Sequence, residues 1–132
     1  MFHEINPIYI KKQEDRPVYR WFQDAGNNLD LYVWQDLNGR VNRFQLWNEQ
    51  VLWEWEEQKG WRFGALDPAT GAFRHYQAPV FRYLPLMHHQ ALQEIFSHMQ
   101  RQQFQQSNEI MAFIFEKIQA LLQTDRKNMQ NV

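Results

Sequence analysis

The sequence predicts an α+β fold, an antiparallel meander sheet of five or six strands followed by one or two C-terminal helices packed on it. Three observations predict it. From about Val18 to about Leu84 the chain is rich in Trp, Tyr, Phe and Val and punctuated by Gly, Asn and Pro, the texture of strands and turns. From about Leu86 onward it has neither Pro nor Gly and is dense in Gln, Leu, Ile, Phe and Met, the texture of helices. Within the first part, two turns read independently place the same apolar residues on one face of the sheet.

The sheet opens with a strand from Val18 to Gln23. "DLNGRV" (Asp36 to Val41) carries Asn38-Gly39, the strongest two-residue hairpin signal, because a type I′ turn needs positive φ at both central positions. That loop sets Val33 opposite Phe44, Leu31 opposite Leu46 and Trp34 opposite Arg43. A second turn at Asn48-Glu49 sets Phe44 opposite Trp53, Leu46 opposite Val51 and Arg43 opposite Glu54. Both registers give one inner face: Leu29, Leu31, Val33, Phe44, Leu46, Val51 and Trp53, with Trp55 beside them. A third turn around Lys59-Gly60 pairs Trp55 with Gly64, whose missing side chain leaves room for the ring. "DPATG" (Asp67 to Gly71) is a further turn, and a strand from Ala72 to Gln77 follows. The opposite face gathers Tyr32, Trp34, Trp47, Leu52 and Phe63, with Arg43, Gln45 and Glu54 among them. A core explains one side of this sheet, so the aromatic outer side is a candidate surface.

In the tail, Leu92, Ile95, Phe96 and Met99 recur at helical spacing. So do Ile110, Ile114, Ile118 and Leu121, with Ser107 or Asn108 as N-cap. The linker "QRQQFQQS" reads either as a break or as part of one continuous helix.

Composition bounds the function. The 132 residues (44% hydrophobic, 16% aromatic) read as a single domain, 1–132, with a sheet region of about 18–84 and a helical region of about 86–124. A formal net charge of −1 provides no field to attract nucleic acid or anionic membranes. The absence of cysteine excludes disulfides, thiolate chemistry and Cys-based zinc sites. The N-terminus lacks a basic region followed by an apolar run, so no signal peptide is expected, and no segment approaches the length of a membrane span. These readings predict a cytoplasmic protein.

Each chemical motif has a structural explanation. His88, His89 and His98 lie on one helix and cannot share an ion, so they read as solvated and no metal is expected. Glu54 and Glu56 share a strand face, an acid/base geometry in principle. Arg43 and Arg62 are at hand as cross-strand partners, and the pair reads as surface ion pairing. Hydroxyl nucleophiles are scarce, and no phosphate loop, GxSxG or HExxH occurs. No catalytic residue and no cofactor is predicted.

"DLYVWQDLNGRVNRFQLW" together with "LWEWEEQKGWRFGALDPATG" resembles a pattern in short uncharacterised bacterial proteins with a Trp-rich antiparallel sheet. It covers about Asp30 to Gly71. The resemblance implies a bacterial single-domain protein, and it implies no functional residue because that family has no assigned activity.

The function expected is therefore a non-enzymatic binding or interaction module. Its partner-binding candidates are Tyr32, Trp34, Arg43, Trp47 and Leu52, and its partner a second copy of the chain or another protein. The alternative is a small-molecule-binding protein, or a weak acid/base enzyme, with a pocket between sheet and helices lined by Trp53, Trp55, Phe63 and His75. Nucleic acid and membrane are not expected partners.

Overall fold

Among the described residues, seven strands pair in sequence order, each antiparallel to the next: β1 (His3–Glu4), β2 (Tyr19–Asp24), β3 (Leu29–Gln35), β4 (Val41–Asn48), β5 (Val51–Glu56), β6 (Gly60–Asp67) and β7 (Val80–Leu84). Two helices follow, α1 (His89–Gln102) and α2 (Glu109–Gln130). The computed structural model describes residues 2–6, 19–67, 80–102 and 108–130. The fold is α+β, with seven strands where five or six are expected from sequence. The additions are β1, only two residues long, and β7, which sits between Pro79 and Pro85 where strand signals are weak. The expected strand Ala72–Gln77, and His75 within it, lie outside the described residues.

The first hairpin reaches its expected register by another route. Its loop has three residues, Leu37, Asn38 and Gly39, closed by the Gly39 N–H on the Asp36 carbonyl at 3.0 Å and the Asp36 N–H on the Arg40 carbonyl at 2.8 Å. Gly39 takes φ +82°, whereas Asn38 is not in the positive-φ region, so the turn is not type I′. The Asp36 carboxylate accepts the N–H groups of Asn38 and Arg40. The extra loop residue is absorbed by a bulge at Asn42, and Val33 still faces Phe44, Leu31 faces Leu46 and Trp34 faces Arg43.

The next two turns correct the expectation. The β4–β5 loop is Glu49-Gln50, so Phe44 faces Trp55 and Leu46 faces Trp53. That is a two-residue shift, and it leaves the faces as expected. The β5–β6 loop is Glu57-Gln58-Lys59, with Gly60 already paired to Glu56. The shift here is odd and exchanges the faces of β6. Phe63 therefore lies on the inner face opposite Trp53, Trp55 faces Trp61, and Gly64 lies on the outer face opposite Leu52.

The inner face is the core of the sheet. Phe22, Leu29, Leu31, Val33, Phe44, Leu46, Trp53 and Trp55 are all buried. Burial of each such side chain contributes about 1.5–3 kcal/mol. Phe44 stacks on Trp55 (5.8 Å) and meets Trp61 edge-on (5.5 Å).

The chain divides into two compact units, Met1–Met87 and His88–Val132. The second is an antiparallel helical hairpin. Leu92, Ile95, Phe96 and Met99 of α1 are buried, as are Ile110, Met111, Ile114, Ile118 and Leu122 of α2. Phe96 stacks on Phe115 at 4.6 Å, and Asn108 caps α2 through its side-chain oxygen on the Ile110 N–H at 2.9 Å.

Candidate functional site

The outer face of the sheet centres on Glu54. Strand alternation between Trp53 and Trp55 turns its side chain away from the core, yet it is only 1% exposed. Its carboxylate is enclosed by groups from the flanking strands. Oε2 accepts Gln45 Nε2 at 2.6 Å and Arg43 Nη2 at 2.8 Å. Oε1 accepts Arg62 Nη2 at 2.6 Å, and the Tyr83 hydroxyl stands 3.5 Å away, the outer limit of a hydrogen bond.

Burial works to raise the Glu54 pKa. The hydrogen bonds from Gln45 and Arg43 and the charges of Arg43 and Arg62 outweigh it, and the pKa lies below the ordinary value of 4.5. Glu54 is thus an ionised acceptor at neutral pH. The surface ion pair expected from sequence is an ion pair with its carboxylate buried. The expected register put Arg43 directly opposite, whereas Gln45 holds that position and Arg43 reaches Glu54 diagonally.

Rings continue the arrangement outward on both sides. The Arg43 guanidinium lies 4.5 Å from the Trp34 ring and that of Arg62 lies 4.7 Å from the Tyr83 ring. Tyr19 meets Trp34 and Tyr32, and Tyr32 stacks on Trp21. Tyr83 meets Phe81 at 4.9 Å, and Phe81 meets Trp47 at 6.0 Å. The Trp47 indole N–H donates to Gln45, which donates to Glu54. One series of ring, guanidinium and carboxylate contacts therefore crosses the sheet from β2 to β7.

Gly64 makes part of this possible. Trp47 and Phe81 belong to strands separated by β5 and β6, and they approach each other above Leu52 and Gly64. A Cβ on Gly64 would stand 2.4 Å from the Phe81 Cζ. Leu52, in register between Trp47 and Gly64 on this face, is 2% exposed.

The sequence candidates divide accordingly. Tyr32, Trp34, Arg43 and Trp47 share the outer face and are half-buried. Leu52 shares the face but is buried, 2% exposed. Trp53, Trp55 and Phe63 share the inner face, with Trp53 fully buried and its indole N–H without a partner. His75 lies outside the described residues.

Glu54 as the hub, and Tyr83 and Phe81 as outer rings, were not among the site candidates. The alternation Trp53-Glu54-Trp55 shows which way Glu54 points. Nothing local shows that four other side chains close over it.

Other groups are accounted for. His89 is not simply solvated, because the helical hairpin brings Asp125 to 2.6 Å from its Nδ1. A residue 36 positions away is invisible to local spacing. No group of three His, Cys, Asp or Glu suited to a metal occurs among the described residues. An open cavity of about 280 Å³ at one end of the sheet is lined by Gln23, Asn28, Asp30 and Glu49 among others. Asp30 there accepts Trp21 and Gln23, and Asn28 donates to Glu49. No described helix is long and apolar enough to cross a membrane.

No protein-family model, curated protein or solved structure matches the chain, so the resemblance across residues 30–71 rests on its motifs alone.

Proposed function

We propose that this protein is a non-enzymatic interaction module that binds a protein partner through the outer face of its sheet, a second copy of the chain being the first partner to test. The observation that carries this reading is the laced row of half-exposed rings and guanidinia around Glu54, with Tyr83 at 52% exposure. Trp, Tyr and Arg are the side chains that dominate binding energy at protein interfaces. Here they are held in place before any partner arrives, which lowers the ordering cost of association. The charges of the face nearly cancel (Asp30, Glu54 and Glu56 against Arg43 and Arg62), which favours a protein surface over a polyanion. Glu54 is a poor general acid or base at neutral pH, because its pKa is lowered and its lone pairs are engaged.

Analytical ultracentrifugation tests the reading. Wild type is expected to sediment as a dimer at tens of micromolar. The double variant Trp34→Glu with Tyr83→Glu is expected to be a folded monomer by circular dichroism. Leu52 is left intact because it is buried. A monomeric wild type would reject self-association and leave a foreign protein as partner.

A second reading has an observation of its own. The Trp53 indole N–H is fully buried with no acceptor. Such a donor is costly unless something accepts from it. A small molecule with an acceptor atom, held beside Trp53, Trp55 and Phe63, would satisfy it. Native mass spectrometry of protein purified from its own host tests this, and a mass equal to the bare chain would reject it.

A further inference from the structure

We propose that Arg43 and Arg62 form a built site for one carboxylate group, presented by an acidic segment of a protein partner. The inference rests on the reading of the outer face as an interaction surface and names the chemistry that surface recognises.

A guanidinium has five N–H donors and no acceptor. Arg43 and Arg62 each give one hydrogen bond to Glu54, one to each carboxylate oxygen. The Nε atom of each is buried and has no partner. An incoming oxygen can therefore meet only the terminal Nη groups. The two side chains remain 37% and 36% exposed while the carboxylate between them is 1% exposed. Two positive charges thus reach solvent and their shared negative charge does not. Arg43, Glu54 and Arg62 together carry one unit of positive charge, which Glu56, in register with Arg43 on the same face, partly offsets, so the site suits a single carboxylate through its free Nη donors.

The geometry is preorganised. Both guanidinia are anchored on adjoining oxygens of one rigid acceptor, and each lies against a ring, Arg43 on Trp34 and Arg62 on Tyr83. Anchoring and stacking remove the rotamer freedom that usually weakens exposed arginine contacts. The rings on either side supply apolar surface, so the fitting ligand is a carboxylate flanked by bulky apolar side chains. A phosphate backbone fits less well. Glu56 and the −1 of the whole chain oppose every added negative charge, so a ligand with many of them is penalised more than one with a single carboxylate.

The test uses the full chain at low micromolar concentration. The probes are a blocked tripeptide with a central glutamate between two phenylalanines and its glutamine counterpart. Arginine side-chain NMR signals and the Trp and Tyr ring signals report the site. The glutamate peptide is expected to shift the Arg43 and Arg62 signals saturably and to bind about tenfold more tightly than the glutamine peptide, as a charge-assisted bidentate contact should. Arg62→Lys keeps the charge on Glu54 but loses the planar fork, and should remove most of that ratio with the circular dichroism unchanged. Tyr83→Leu leaves every charge in place and should reduce the ratio by loosening Arg62.

Equal binding of the two peptides would overturn the carboxylate site and leave the interaction face standing. Binding of neither, with a wild type whose sedimentation the Trp34→Glu and Tyr83→Glu changes do not alter, would overturn both. Displacement of the peptide by a single-stranded oligonucleotide that binds more tightly would reassign the site to phosphate.

Discussion

Glu54 is the residue whose behaviour separates structure from surface chemistry. Its folded pKa lies below the ordinary value of 4.5. The stability it contributes is therefore present above that value and is lost as pH falls through the folded pKa. Thermal melts across the acid range should show wild type losing stability more steeply on acidification than Glu54→Gln, and parallel curves would mean the carboxylate is not held ionised. Replacing an arginine acts differently from replacing Glu54. The arginines are a third exposed and tolerate loss of their partner, whereas a buried carboxylate does not. Gly64 makes a second residue-scale test. Its Cβ position lies 2.4 Å from the Phe81 ring, so Gly64→Ala should displace that ring and cost about 1–3 kcal/mol in urea melts. The two tryptophan faces can be ranked in the same way. Trp53→Ala should cost about 3–5 kcal/mol and Trp34→Ala much less at low protein concentration, because only Trp53 is fully buried. The reverse order would place the core on the wrong side of the sheet.

At the scale of elements, Gly39→Val should destabilise the first hairpin by more than about 1 kcal/mol, because a β-branched residue resists φ +82°. An unchanged urea midpoint would show that the turn is not needed for the fold. The same hairpin shows what was legible in the sequence. Alternation of apolar side chains specifies a face, and faces survive any error of two residues. The β4–β5 turn differs from its expected place by that amount, and Leu29, Leu31, Val33, Phe44, Leu46 and Trp53 still emerge as the buried set. At β5–β6 the error was odd, and Phe63 and Gly64 changed sides. Nothing in "EEQKGWRFG" distinguishes a loop that ends at Lys59 from one that includes Gly60, because Trp61 and Phe63 alternate with Arg62 and Gly64 on either reading. β7 has little local signature, because its flanking prolines read as boundaries. Tyr83 lies on it, and so does one wall of the Glu54 site. The helices were legible as separate stripes, whereas the His89–Asp125 contact depends on how two helices meet and has no local trace.

For the whole molecule, the proposed association through the outer face has a thermodynamic signature besides sedimentation. A dimer stabilises its folded form by mass action. The melting temperature of wild type should rise with protein concentration, and that of the Trp34→Glu, Tyr83→Glu variant should not. A wild-type melting temperature independent of concentration would count against a dimer as firmly as a monomeric sedimentation profile. The strand order has a consequence of a different kind. Every described strand of the sheet pairs with the described strands before and after it in the chain. After β1, each one therefore finds its template already made when it leaves the ribosome. Chains with such neighbour-only pairing close short loops first and fold quickly for their class. During synthesis one edge of the sheet is its first strand and the other is the strand most recently added, and the interval in which that growing edge could pair with another chain is set by the time needed to translate the next turn and strand.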